Sequence, residues 1–324
     1  MKKFLMSTMI ILPILINGCS AGGDSSSNSN YYSSGYDYYY QLQAESSSTP
    51  VLNALSANGT TLFSANLTPG SSNSYTFKTT YNNKPVAGNV VLSNGILSIA
   101  ASNWGIDLAS NSTTQVSNGT FSTICDMGNM SPCTIIISGN NITVTEYASN
   151  GRHTQLCNNS LLSTTNAIPN NYSFKCGING SSTPQYDWYL IPFIRNGVAG
   201  LLLGEFNYGS QVNNDQTNDI AMQQTTTVGE FMPNGSYYYA SAYSGTPSMT
   251  VATITYTGSN ALINNPTVGS CNGQPCSLIM DQYYQQIAYG YAYFTPTQPV
   301  LNVNVVGNSN MGLMMDSVSG FYVQ

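Results

Sequence analysis

Residues 189–206, Tyr-Leu-Ile-Pro-Phe-Ile-Arg-Asn-Gly-Val-Ala-Gly-Leu-Leu-Leu-Gly-Glu-Phe, decide the fold class of this chain. Two apolar and aromatic runs flank Asn196-Gly197, and an Asn-Gly pair adopts positive φ at little cost. The stretch therefore predicts an antiparallel β-hairpin with a tight turn. Leu201-Leu202-Leu203 does not alternate between apolar and polar residues, which predicts a strand buried on both faces.

The same pattern recurs along the chain. A second hairpin is predicted from Asn89 to Leu92, with a turn at Ser93-Asn94-Gly95 and a return strand from Ile96 to Ala100. After Val51 no stretch shows a sustained helical period. The Asn-Gly pairs begin at Asn58, Asn94, Asn118, Asn150, Asn179, Asn196, Asn234 and Asn272. We therefore predict an all-β, antiparallel body of sandwich or barrel type, built of hairpins.

An internal similarity bears on the domain organisation. Asn118-Gly119-Thr120-Phe121 and Asn234-Gly235-Ser236-Tyr237 are alike, and each precedes an apolar, threonine-containing run. One interpretation is a duplicated β-unit; the other, which we favour slightly, is chance similarity between Asn/Thr-rich hairpins. The sequence accordingly predicts a β-domain over residues 50–227 and a second β-domain or β-unit over residues 228–324.

The amino terminus has the build of a secretory signal peptide. Lys2 and Lys3 precede an apolar run from Phe4 to Ile16, which is too short to span a bilayer permanently, and small residues follow. The segment Ile16-Asn17-Gly18-Cys19 resembles the lipobox of bacterial lipoproteins, although Asn17 stands where small or aliphatic residues are usual.

The resemblance implies that residues 1–18 are removed and that Cys19 becomes the lipid-bearing amino terminus. Ser20 follows the cysteine where members kept in the inner membrane often carry Asp, so the resemblance implies the outer membrane. Several acyl chains on one residue would make membrane attachment stable. The alternative is an ordinary signal peptide that is cleaved near Ala21.

Residues 19–49 are rich in Ser, Gly, Asn and Tyr and almost lack aliphatic side chains. Such a segment buries too little apolar surface to offset its ordering entropy, so we predict a disordered tether. The competing interpretation is that its tyrosines stack on sugars or on the envelope surface. These tyrosines are Tyr31, Tyr32, Tyr36, Tyr38, Tyr39 and Tyr40.

Charge is sparse in the predicted mature chain. Five basic and 13 acidic side chains remain among 306 residues, a formal charge of −8. This excludes the basic footprint of a nucleic-acid-binding protein. It fits a secreted β-protein better than a cytosolic enzyme.

Six further cysteines form an even set, which indicates disulfides in an oxidising compartment. We predict local pairs: Cys125 with Cys133, Cys157 with Cys176, and Cys271 with Cys276. The competing interpretation is a metal site, but paired CxxC spacing is missing and the chain has one histidine.

Aromatic stripes supply the candidate ligand contacts. Strand alternation places tyrosines on shared faces, with small residues opposite them. Such rings suit stacking on carbohydrate or a protein interface, but core packing is the preferred interpretation. The ligand-contact candidates are Tyr237, Tyr239, Tyr243, Tyr289, Tyr291, Tyr293 and Trp188.

No catalytic motif is present. His153 could serve a Ser-His-Asp triad, but no G-x-S-x-G elbow occurs, and a solvated turn histidine is the better interpretation. Carboxylates such as Asp107, Asp187 and Asp281 could form a glycosidase pair, but spacing in sequence cannot pair them. The loop 213–219 could bind calcium; an exposed polar loop is the default. We predict no cofactor and no metal.

The sequence thus predicts a lipid-anchored outer-membrane lipoprotein. Its role would be non-enzymatic binding or scaffolding in the cell envelope, with a glycan or an envelope protein as partner. One alternative is an envelope polysaccharide hydrolase. A second is a lipocalin-like carrier of a small apolar ligand, which would need a barrel with an open interior.

Overall fold

The fold is known from a computed structural model. It describes residues 28–33, 38–45, 48–70, 73–93, 95–125, 131–147, 153–164, 171–176, 186–195, 198–207, 218–223, 235–241, 248–257, 260–264, 276–280, 291–294, 302–306, 313–316 and 320–323. Every regular element in these segments is a β-strand, and all paired strands are antiparallel. The predicted antiparallel all-β body is confirmed. None of these residues forms a helix long and apolar enough to cross a membrane.

The first sheet has nine strands in the order β4-β3-β2-β1-β9-β8-β7-β6-β5. Its first strand pairs with its last, so the chain runs up and down and returns to its start. The strands are β1 Asn28–Ser33, β2 Tyr38–Gln43, β3 Val51–Ser56, β4 Thr61–Asn66, β5 Thr68–Pro69, β6 Ser74–Tyr81, β7 Lys84–Ser93, β8 Ile96–Ala101 and β9 Gly105–Ser110.

The second sheet repeats this order as β13-β12-β11-β10-β18-β17-β16-β15-β14. Again the first strand pairs with the last. The strands are β10 Gly119–Cys125, β11 Ser131–Ser138, β12 Asn141–Tyr147, β13 His153–Leu161, β14 Ser163–Thr164, β15 Tyr172–Cys176, β16 Tyr186–Arg195, β17 Val198–Asn207 and β18 Asn218–Gln223.

The third sheet is a closed eight-stranded barrel. Each strand pairs with the next, and β19 pairs with β26 to close the ring. The strands are β19 Gly235–Ser241, β20 Ser248–Thr257, β21 Asn260–Asn264, β22 Cys276–Met280, β23 Tyr291–Phe294, β24 Asn302–Val306, β25 Leu313–Asp316 and β26 Gly320–Val323.

Both predicted hairpins are confirmed. Residues 88–93 pair with 96–101, and Gly95 between them has a φ of 80°, which glycine adopts without strain. Residues 186–195 pair with 198–207. Leu201, Leu202 and Leu203 are all buried, as the lack of alternation predicts.

The first sheet encloses a buried core to which each of its eight longer strands contributes. One residue from each, in chain order, is Tyr31, Tyr40, Ala54, Phe63, Phe77, Val90, Ile99 and Ala109. β4 and β6 are in contact but do not pair with each other, and the edge of β6 that is not paired with β7 pairs only with the two-residue β5. We call this contact between two unpaired strands the seam of the sheet. Side chains bridge this seam: Phe63 stacks on Phe77 at 6.0 Å between ring centroids, and Thr79 Oγ1 donates to the Ser64 carbonyl over 2.7 Å.

The second sheet has a matching core, formed in the same strand order by Phe121, Ile135, Val144, Cys157, Phe174, Leu190, Leu203 and Ala221. Its seam lies between β13 and β15. The predicted disulfide between Cys157 and Cys176 is confirmed, and it crosses this seam.

The first and second sheets also share their register. Tyr75 pairs with Val90 in one sheet, and Tyr172 pairs with Leu190 in the other. The strands that carry these tyrosines have similar sequences at the matching positions, residues 75–78 (Tyr-Thr-Phe-Lys) and 172–175 (Tyr-Ser-Phe-Lys). Order, register and sequence agree, so we infer that the two sheets are repeats of one unit.

The predicted similarity between Asn118 and Asn234 falls at the start of the second and third sheets. Phe121 on β10 pairs with Ile135, and Tyr237 on β19 pairs with Ala252. The first strands of these sheets therefore match in place. The second strands differ by one residue between the two alignments. The sequence similarity aligns Ile135 with Val251, whereas the strand pairing aligns Ile135 with Ala252.

Part of the predicted tether is strand. Residues 28–33 and 38–43 form β1 and β2, and Tyr31 and Tyr40 are buried in the first core. The segment has few aliphatic residues, but tyrosine rings supply the apolar volume here. Residues 19–27 lie outside the described segments. The predicted domain of residues 50–227 contains strands of two sheets.

The outer faces of several strands are buried as well. β8 is buried at every position, including Ile96, Ser98 and Ala100 on the face that points away from the first core. β8 lies against β19 and β20, β9 against β16 and β17, and β18 against β24 and β25. Each sheet therefore contacts both of the others.

Candidate functional site

Four aromatic rings gather at one end of the first sheet, and we call this group (Tyr38, Phe63, Tyr81 and Trp104) the aromatic mouth. Trp104, in the turn between β8 and β9, lies at its centre. Its ring centroid is 4.8 Å from that of Phe63, 5.0 Å from Tyr38 and 5.1 Å from Tyr81. These edge-on and tilted contacts are the arrangements that aromatic rings prefer.

Turn residues bring the rings together. Asn82 and Asn83 both have positive φ, so the turn from β6 to β7 is tight and leaves Tyr81 at the end of its strand. Asn103 also has positive φ and directs the chain into Trp104. Phe63 is buried, whereas Tyr38, Tyr81 and Trp104 are partly exposed. The mouth therefore presents three rings to solvent above an apolar base.

Beneath the mouth lies a buried carboxyl group. Asp107 on β9 is 1% exposed and pairs with Ile99, on the face that points into the first core. The side chain of Ser33 donates to Oδ1 of Asp107. Oδ2 accepts from the Tyr40 hydroxyl at 2.9 Å and from the Tyr38 hydroxyl at 3.2 Å.

The network reaches the mouth directly. Trp104 Nε1 donates to the Tyr40 hydroxyl oxygen over 2.8 Å, and Tyr40 in turn donates to Asp107. Two of the three partly exposed rings, Tyr38 and Trp104, are thus tied to the carboxyl group, one directly and one through Tyr40.

Burial raises the pKa of Asp107 to about 7, because the interior disfavours the charged form. Hydrogen bonds from Ser33, Tyr40, Tyr38 and the Leu108 backbone oppose this rise. No charged side chain contributes to the shift. The carboxyl group is therefore balanced between its two protonation states near neutral pH.

A second acidic residue lies at the other end of the sheet. Glu45 follows β2 and accepts from Ser29 Oγ over 3.1 Å. Burial raises the pKa of Tyr31, and the charge of Glu45 and a hydrogen bond to it raise it further. β2 separates Glu45 from the Asp107 network by roughly 20 Å of extended chain.

This separation matters for the predicted hydrolase alternative. A glycosidase needs two carboxyl groups about 5 to 9.5 Å apart. Among the described side chains, no charged group shifts the pKa of Asp107. In the described part of the chain the aromatic mouth offers surfaces for binding, and the hydrolase alternative stays a prediction.

The predicted ligand contacts lie elsewhere. Trp188 is 1% exposed and packs in the second core against Phe174, at 5.7 Å between ring centroids. Its indole Nε1 has no hydrogen-bond partner there. This corrects its assignment as a ligand contact, because a ring enclosed by a core presents no face to solvent.

The tyrosine candidates belong to the third sheet. Tyr237 and Tyr239 lie on β19, and Tyr291 and Tyr293 lie on β23. Tyr243 and Tyr289 lie outside the described residues.

The other predicted positions are placed as follows. Cys133 is also disulfide-bonded. Cys125 is in β10 and Cys276 in β22, whereas Cys19 and Cys271 lie outside the described residues. His153 begins β13, and the calcium-loop residues 213–217 are not described. Among described residues, no group of three or more His, Cys, Asp or Glu could hold a metal ion.

Sequence reasoning missed the aromatic mouth. Trp104 was not singled out, and Tyr38 and Tyr40 were assigned to the tether. One signal was available: Tyr38, Tyr40 and Leu42 alternate with other residues at the period of a strand.

Comparison with known proteins adds no family. The chain matches no protein-family model, and no curated protein sequence aligns with it significantly.

Proposed function

We propose that this chain is a lipid-anchored, non-enzymatic binding protein of the outer membrane, and that the aromatic mouth of its first sheet contacts a glycan. The observation that carries the proposal is the group of three partly exposed rings, Tyr38, Tyr81 and Trp104. Flat aromatic rings with polar tips stack on the apolar faces of sugars and hydrogen-bond to their hydroxyl groups.

The filled cores of the first two sheets favour surface binding there over transport inside a barrel. In the first and second sheets, side chains from all eight longer strands meet in one buried cluster. A carrier of a small apolar ligand needs an open interior of several hundred cubic ångströms. Bulky residues such as Tyr40 and Trp188 occupy that space instead.

Tryptophan fluorescence can test glycan binding, because the chain has only two tryptophans. Trp188→Phe leaves Trp104, at the mouth, as the only reporter. We expect the emission of Trp104 to change on titration with at least one of the soluble oligosaccharides chitohexaose, cellohexaose and maltohexaose.

Two variants give that titration a matched comparison. Tyr81→Ala removes a ring of the mouth and should weaken binding roughly thirtyfold, the loss typical of an aromatic anchor of about 2 kcal/mol. Tyr39→Ala removes a partly exposed ring next to Tyr38 but on the opposite face of β2, and should bind like the parent. Equal affinity of the two variants, or no response to any of the sugars, would refute the glycan site.

The membrane anchor rests on Cys19 and its resemblance to a lipobox cysteine. Growth with labelled palmitate should label the wild-type protein, and Cys19→Ser should abolish the label and release the protein from the membrane fraction. Label retained on the Cys19→Ser variant would refute attachment at this residue.

A further inference from the structure

The hydrogen bonds around Asp107 connect a titratable group to the surface of the aromatic mouth. One oxygen, Oδ2, accepts from both Tyr38 and Tyr40. Tyr38 is itself a ring of the mouth, and Tyr40 accepts from Trp104. Two mouth rings are therefore linked to a single oxygen atom, Tyr38 directly and Trp104 through Tyr40.

Within the described segments, Asp107 is the only carboxyl group of the network, and the network contains no basic side chain. β1 contributes Ser33, β2 contributes Tyr38 and Tyr40, and β8 contributes Ile99 as the cross-strand neighbour. The two tyrosines are the other titratable groups, and no charged side chain shifts the pKa of Asp107. Asp37, in the chain between β1 and β2, lies outside the described residues.

We propose that Asp107 is a proton-operated latch for the aromatic mouth: the ionised carboxylate fixes Tyr38 and Tyr40 and, through Tyr40, Trp104, whereas proton uptake loosens them. This regulation of glycan contact rests on the proposed function of the mouth, but the latch itself is a property of the protein without ligand.

The chemical basis is the change in the hydrogen bonds. Bonds to a charged acceptor are shorter and about twice as strong as bonds between neutral groups. When the carboxylate takes a proton from solvent, one oxygen becomes a hydroxyl donor, and the Oδ1–Ser33 pair can carry that proton. The bonds from Tyr38 and Tyr40 then end on a neutral carbonyl oxygen and weaken.

When the carboxylate takes up a proton, the hydrogen bond from Tyr38 should weaken more than the bond from Tyr40. At 3.2 Å it is longer than the bond from Tyr40, and Tyr38 is partly exposed whereas Tyr40 is buried. Because the Tyr38 ring packs on Trp104 at 5.0 Å, its movement changes the surroundings of the indole. Burial raises the pKa of Asp107 to about 7, so the change falls within an accessible pH range.

The test measures Trp104 emission and its quenching by acrylamide across pH in the full chain carrying Trp188→Phe. We expect one transition near pH 7 and stronger quenching on the acidic side. Asp107→Asn in the same background should abolish the transition, because the amide cannot ionise. A transition that persists in Asp107→Asn, or no transition in the parent, would overturn the latch.

Two more variants separate the latch from general effects. Tyr38→Phe keeps the ring but removes the hydroxyl donor, so the amplitude of the transition should fall. Its midpoint should move to higher pH, because the hydrogen bond from Tyr38 favours the charged carboxylate. Tyr39→Phe, on the outer face of β2, should leave both unchanged. Loss of the transition in Tyr39→Phe would also overturn the latch.

Sugar binding at two pH values then distinguishes this proposal from the proposed function. An oligosaccharide that binds the mouth should bind roughly fivefold more tightly at about pH 8 than at about pH 5.5, a difference equal to one ordinary hydrogen bond. Asp107→Asn should bind equally at both. A Trp104 transition without any sugar binding would support the latch and refute glycan contact. Sugar binding that does not depend on pH, with no Trp104 transition, would support glycan contact and refute the latch.

Discussion

Asp107 should give the protein an unusual pH dependence of stability. Its pKa is raised to about 7 in the folded protein, whereas an unfolded chain would release the proton at the ordinary value of 3.8. Between these values the folded state holds a proton that the unfolded state lacks, so the free energy of unfolding falls as pH rises. The fall should end above about pH 7 and amount to about 4 kcal/mol at most.

Urea unfolding of wild type and Asp107→Asn at about pH 5 and pH 8 measures this effect. The variant should be as stable as wild type in acid and more stable in base, because it never carries the buried charge. Glu45→Gln removes an exposed carboxyl group at the other end of the sheet and should keep the wild-type slope. Equal pH slopes in wild type and Asp107→Asn would contradict the assignment.

The residues of the mouth show why sequence reasoning missed the site. Tyr38, Phe63, Tyr81 and Trp104 come from four parts of the chain, and only the closure of the sheet brings them together. The buried carboxyl group was visible only as one of several aspartates. Periodicity predicts the face of a strand on which a residue lies, but not which distant strand will lie beside it.

Among the structural elements, the seams of the first and second sheets are held together by different interactions. Phe63 in the first sheet and Cys157 in the second occupy the same register position, opposite Ala54 and Val144 respectively. In the first sheet an aromatic stack closes the seam; in the second, a disulfide does. A stack contributes by burial, whereas a disulfide also restricts the unfolded chain.

Removing the disulfide across the second seam should therefore lower the free energy of unfolding. The double substitution Cys157→Ala and Cys176→Ala should lower the free energy of unfolding by about 3 kcal/mol, as expected for a loop of this size. Denaturant unfolding with and without reductant measures it. Phe77→Ala in the first sheet should cost about 3 to 5 kcal/mol and should retain the wild-type sensitivity to reductant. A double variant as stable as oxidised wild type would exclude this role of the disulfide.

For strands and turns, the sequence predicted those features that depend on residues close together in the chain. Asn-Gly turns predicted the hairpins, and the pairing of Cys157 with Cys176 followed from their short separation. β1 and β2 were missed because their apolar volume comes from tyrosine rather than from aliphatic residues.

At the scale of the whole molecule, the described part of the chain forms three sheets in mutual contact. We number only the eight longer strands of each sheet. The eighth strand of the first sheet, β9, lies against the sixth and seventh of the second, β16 and β17. The eighth strand of the second sheet, β18, lies against the sixth and seventh of the third, β24 and β25. The first two strands of the third sheet lie against the sixth and seventh of the first. The first and second sheets thus each use their eighth strand in these contacts, whereas the third sheet uses its first two strands against the first sheet.

The buried outer face of β8 makes this arrangement testable. Ala100 is fully buried but points away from the first core, toward the face that lies against β19 and β20. Ala100→Asp should place an unpaired charge there and separate the sheets without filling the first core. Limited proteolysis should then release fragments that wild type does not. Thr76→Asp, at an exposed position on β6, should digest like wild type. Identical digestion of Ala100→Asp and wild type would contradict the contact.

Pairing of β1 with β9 places the last strand of the first sheet beside its first, with Tyr32 opposite Ser110. The start of β1 at Asn28 lies roughly 13 Å along the strand from Tyr32. The seam between β4 and β6 is meanwhile held by side chains rather than by a backbone ladder. The unit is therefore suited to circular permutation: a short linker could join its present ends, and new termini could open at the chain between β4 and β6 without breaking a long strand pair.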